Sequence, residues 1–148
     1  QAYLNSPRAR KALSKKPGQE GFSLIELVVV VAVLAILSAI AIPSFTSINN
    51  KARASAASNT VATVAKECAV KYANGETSPT RPVVTPDGYS AVTAVTGTTS
   101  STTGCTATGT IVATSGNTGS YASFTYNTAT GAKTCTPNTA TGCNNGTW

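Results

Sequence analysis

From Leu27 to Ile42 only Ser38 interrupts a run of aliphatic residues and alanine, and no charge follows Glu26 until Lys51. As a helix, Phe22 to Ile42 extends roughly 32 Å at about 1.5 Å per residue. That length matches a hydrocarbon core of about 30 Å. A run of this kind leaves little choice of fold, because in lipid every backbone polar group must be satisfied within the segment. Arg8, Arg10, Lys11, Lys15 and Lys16 precede the run, whereas only Lys51 and Arg53 follow it closely, which predicts a cytoplasmic N-terminus and an exported remainder.

One residue does not fit a plain anchor. Glu26 lies at the front of the apolar stretch, where an ionised side chain is costly and marks a functional site by default. A secretory signal peptide accounts for the basic front, the apolar middle and the small-x-small pattern Ala39-Ile40-Ala41. It does not account for the carboxylate, and such a core is usually only about 7 to 15 residues long. An ordinary transmembrane anchor explains length and orientation but leaves Glu26 without a role.

The segment Gly21-Phe22-Ser23-Leu24-Ile25-Glu26, between a basic stretch and an apolar run, resembles the class III leader and N-terminal helix of type IV prepilins and pseudopilins. In that family a short basic leader ends in Gly, the mature chain usually starts with Phe, and its fifth residue is Glu. Gly21, Phe22 and Glu26 occupy these positions, and Pro43 matches a frequent proline. Many members carry a helix-weakening glycine where this chain has Ala35.

The resemblance implies cleavage between Gly21 and Phe22 by a membrane-embedded aspartyl prepilin peptidase, followed by N-methylation of Phe22. Gly21 suits close approach of an extended backbone to a protease, since it has no side chain. The freed amine of Phe22 would lie about 6 Å along the helix axis from Glu26. A neighbouring subunit, axially shifted, would set its amine against this carboxylate, so that Glu26 acts in assembly. The implied partners are further copies of the chain in a helical filament, the prepilin peptidase, the assembly machinery of the inner membrane, and lipid before assembly. The implied location is the inner membrane as a single-pass precursor, then an extracellular pilus.

The expected architecture is an α+β pilin fold. Residues 1–21 form the leader, 22–50 a transmembrane or filament-core helix, and 51–148 a globular head. Within the head an amphipathic helix spans 51–73, a loop 74–88, and an antiparallel sheet with a disulfide loop 89–148. Pro43 removes a backbone donor and crowds the carbonyl of Ala39, so a kink or local unwinding is expected at 39–43. Past it, Ala54, Ala57, Val61, Val64 and Cys68 recur at spacings of three and four, a face to bury against the sheet, with Tyr72 extending the stripe. Asn74-Gly75 is a stop signal. Strands are expected at Tyr89–Val95, Thr110–Thr114, Tyr121–Tyr126 and Ala132–Thr136. The polar stretch Thr96–Gly104 reads as a surface loop.

So small a sheet buries little apolar area alone, and other constraints are expected. Cys68, Cys105, Cys135 and Cys143 have no Cys-x-x-Cys spacing and the chain has no histidine, which favours disulfides over zinc. Of three connectivities, Cys135 with Cys143 and Cys68 with Cys105 is favoured; the first would resemble the C-terminal disulfide loop of many type IV pilins. No metal site or cofactor is expected. Major pseudopilins of type II secretion typically carry a calcium site, but this tail offers one aspartate, Asp87.

The charge needs apportioning before it is interpreted. Residues 1–21 carry five Lys or Arg and one Glu, and the rest six and four, so +4 and +2 give the net +6. A filament repeating Lys51, Arg53, Lys66, Lys71, Arg81 and Lys133 would attract nucleic acid, yet no aromatic–basic interleaving supports such binding. No nucleophile elbow, phosphate loop or metal motif is present, so no catalytic residue is expected and the chain does not read as an enzyme. The expected function is a structural pilus subunit serving adhesion, twitching motility or DNA uptake. The alternatives are a type II secretion pseudopilin or minor pilin, or more remotely a small secreted or anchored binding domain.

Overall fold

The computed structural model describes residues 21–148. It combines one long helix with a five-stranded antiparallel sheet, an α+β pilin-like architecture. The chain divides into two compact units, one ending at Phe45 and the other Thr46–Trp148.

Helix α1, Leu24–Ala73, runs unbroken through Pro43. Of the kink or local unwinding expected at 39–43, the unwinding does not occur, since the helix continues through the proline. In the first unit Leu24, Ile25, Val28, Ile36 and Ile40 are all exposed, and this stretch is long and apolar enough to cross a membrane. Ser38, its one polar interruption, donates its hydroxyl to the carbonyl oxygen of Leu34 at 2.7 Å. The exposed hydroxyl is thereby satisfied within the helix itself. At the far end Gly75 adopts φ 88°. Its N–H donates to Tyr72 O and that of Glu76 to Lys71 O, the paired bonds of a Schellman stop.

The second unit is built on the other half of α1. Ala54, Ala57, Val61, Val64, Ala65 and Cys68 are buried there, the face that the three-and-four spacing predicts, with Ala65 added. The strands are β1 Thr93–Thr96, β2 Thr99–Ser101, β3 Thr110–Ala113, β4 Ser123–Asn127 and β5 Lys133–Thr136, in the order β2-β1-β3-β4-β5. Register explains the core: Ala94 pairs with Ile111, Ala113 with Phe124, and Phe124 with Cys135. Because side chains alternate across a strand, these residues share one face, and all are buried in one cluster with the helix residues.

The strands depart from expectation in two ways. The first and third expected strands begin later, at Thr93 and Ser123. Tyr89 and Tyr121 instead make isolated bridges to Ser115 and Thr141, and both rings are buried in the core, Tyr89 against Phe124 and Tyr121 against Tyr89. The polar stretch Thr96–Gly104, expected to be a loop, contains β2. Gly97 takes φ 59° in a two-residue turn that reverses the chain, and Thr96 pairs with Thr99. Glycine reaches that conformation without steric cost, and threonine suits a strand.

Candidate processing and assembly site

Ser23 is the N-cap of α1. Its hydroxyl oxygen accepts the N–H of Glu26 at 3.2 Å, and the Glu26 carboxylate (Oε2) accepts the N–H of Ser23 at 2.9 Å. This reciprocal pair is a capping box. The first intrahelical bond, Leu27 N–H to Ser23 O at 3.1 Å, closes immediately beyond it. A helix start leaves four N–H groups without intrahelical partners; the box satisfies those of Ser23 and Glu26. The carboxylate also lies in the first turn, where the helix macrodipole favours negative charge.

Gly21 and Phe22 therefore stand just outside the helix, and Phe22 is 84% exposed. The structure brings Gly21, Phe22, Ser23 and Glu26 together within one short segment. Sequence reasoning sought the partner of Glu26 on a neighbouring chain and overlooked Ser23. The Ser-x-x-Glu pattern before an apolar run was the available signal. Pro43 lies inside the same helix, apart from that segment.

The four cysteines lie in the second unit and form two bridges. Cys68 of α1 is joined to Cys105 with Cα atoms 5.4 Å apart, and Cys135 of β5 to Cys143 at 5.6 Å. Tyr72 donates its hydroxyl to Cys105 O at 3.2 Å, next to the first bridge. The loop closed by the second bridge folds back onto the core. A Cβ on Gly142 would lie 2.6 Å from that of Ala54 and 2.9 Å from the Phe124 ring. The C-terminal Trp148 packs edge-on against Phe124 and donates its indole N–H to Thr134 O at 2.9 Å.

Five charged groups of this unit, Arg53, Lys71, Arg81, Asp87 and Lys133, have partners within it. Arg53 meets Asp87 at 2.8 Å and lies 5.9 Å from the centre of the Tyr121 ring, so the aspartate examined as a calcium ligand already has a cationic partner. Among the described residues no cluster of three or more His, Cys, Asp or Glu side chains is arranged to hold a metal. Lys71 donates to Thr80 O, and Lys133 stands 4.8 Å over the Trp148 ring. Arg81 is only 4% exposed and donates to Val92 O at 2.8 Å, while its Nε has no partner. Burial lowers its pKa, and the charge of Glu67 partly opposes that shift. Tyr89 donates to Ala122 O at 2.6 Å. Burial, with a smaller contribution from Tyr121, pushes its phenol up to about 12.

Residues 16–42 match the family model of the prokaryotic N-terminal methylation motif. The match spans Gly21, Phe22, Ser23, Glu26 and the whole apolar run from Leu27 to Ile42. No curated protein and no solved structure matches the chain.

Proposed function

We propose that this chain, whose N-terminal segment is that of a type IV pilin-like prepilin with a class III leader, is a structural subunit of a type IV pilus. The matched motif is a structural, pilin-type one rather than that of an enzyme family. Gly21 and Phe22 supply the bond that prepilin peptidase cuts and the amine that it methylates. The apolar part of α1 holds the precursor in the inner membrane with its N-terminus in the cytoplasm. After cutting, the same surface packs against further copies in the filament, and the head faces outward. The leader carries +4, so its removal frees the helix from the cytoplasmic side.

The observation that carries this reading is the capped start of α1. An acid at the third helical residue and an exposed Gly-Phe bond just before the cap stand together at the head of a membrane-length apolar helix. In assembly the Phe22 amine of one subunit approaches Glu26 of the next. The carboxylate uses Oε2 on Ser23 and has a second oxygen to accept an ammonium. The decisive experiment is mass spectrometry of the exported protein. A chain starting at N-methylated Phe22 is expected; one starting at Ile42, or an uncut chain, would refute the reading.

A pseudopilin of type II secretion is the second reading. The two disulfides and the engagement of Asp87 by Arg53 favour the pilus subunit. Imaging of purified fibres with identification of their main protein separates the two readings.

A further inference from the structure

We propose that Ser23 is a positioning residue for proteolytic processing: by capping α1 it fixes where the helix begins and keeps the Gly21–Phe22 peptide bond outside it. This inference rests on the cleavage reading above. A protease acts on extended backbone, whereas a helical scissile bond has its amide turned into the helix. An N-cap residue has non-helical backbone angles while its own carbonyl already accepts the first intrahelical bond. Ser23 does this through Leu27 N–H, so Phe22 is held one residue outside the helix and Gly21 two.

The sequence alone would not impose that boundary. Phe22 and Ser23 are both tolerated in helices, and the apolar run propagates helix strongly in lipid, where unsatisfied N–H groups cost several kcal/mol each. Without the cap, relocating the start toward Gly21 becomes competitive. Two side chain–backbone bonds, at 3.2 and 2.9 Å, hold the present start. The exposure of Phe22 and the match of the motif model across this boundary are separate observations that converge on the same bond.

The test uses the full-length precursor in membranes with prepilin peptidase, following release of residues 1–21 by mass. Ser23→Ala removes the hydroxyl acceptor, and Ser23→Thr and Ser23→Asn restore an N-cap oxygen. If the peptidase takes only the extended form, a reduced share of that form raises apparent KM and leaves kcat unchanged. Loss of an N-cap costs about 1 kcal/mol, which corresponds to roughly a five-fold shift. Because the extended form predominates in the capped wild type, that shift brings the two forms near parity, and Ser23→Ala is expected to raise KM about two-fold at constant kcat, with the Thr and Asn variants at the wild-type value.

An unchanged KM in Ser23→Ala overturns the proposal. So does a fall in kcat alone, which would mean that the hydroxyl touches the peptidase chemistry, and so does failure of both Thr and Asn to restore KM. A wild-type chain that is not cut after Gly21 overturns the cleavage reading as well. A correctly cut wild type with an indifferent Ser23→Ala removes only this inference.

Discussion

Phe124 is fully buried and contacts the rings of Tyr89 and Trp148, so Phe124→Ala should cost about 3 to 5 kcal/mol, as large-to-small core substitutions of this kind do. Chemical denaturation of the full chain in detergent, monitored by Trp148 fluorescence, measures it. Tyr89 gives a pH signature. Its phenol stays protonated in the fold up to about 12 but ionises near 10 in the unfolded chain. Between these values the unfolded state binds fewer protons, so stability falls as pH rises, by up to about 1.4 kcal/mol per unit. Tyr89→Phe should flatten that decline while forfeiting the bond to Ala122 O; thermal unfolding at pH 9 to 12 checks both effects. At this scale Glu26 was legible because a charge in an apolar run stands out. Arg81 was not, because nothing in its surroundings in the sequence announces burial.

Among the elements, the two disulfides do different work. Cys68–Cys105 closes 37 residues of chain and fastens α1 to the segment after β2, whereas Cys135–Cys143 closes eight. In the chain-entropy model these correspond to about 3.8 and about 2.5 kcal/mol. Replacing the first pair by serine should therefore lower the denaturation midpoint more than replacing the second. An equal or reversed order would show that packing of the C-terminal loop, through Gly142 against Ala54 and Phe124, outweighs loop closure. The helical half of the head was readable from its three-and-four spacing, and the helix ends at Ala73, where Asn74-Gly75 predicts a stop. Strand β2 was not readable. Its residues Thr99–Ser101 are polar and lie at the sheet edge, so no apolar alternation marks them.

For the whole molecule, the proposed pilus reading makes Glu26 the point where membrane residence and assembly meet. Glu26→Ala should leave insertion intact and reduce filament yield at least ten-fold, because the ammonium of the adjoining subunit then enters an apolar core without a counter-charge. Electron microscopy of sheared surface fibres, set against the membrane pool of the same chain, measures this; abundant filaments from that variant would end the ion-pair account. Once residues 1–21 are removed the chain carries +2, and its basic side chains at 53, 71, 81 and 133 are each engaged within the head.

Local chemistry by itself determined the membrane-length helix, its processing motif, the amphipathic face beyond Pro43 and the need for disulfides, since hydropathy, spacing and cysteine count are properties of neighbours along the chain. Only the tertiary structure decided which strands pair, that a polar stretch supplies the edge strand, and that Arg81 and the ring of Tyr121 are buried, because burial depends on residues distant in sequence. The capping box lies between the two. Its residues are three apart and visible in the sequence, but whether the serine and the carboxylate bond each other depends on where the helix starts.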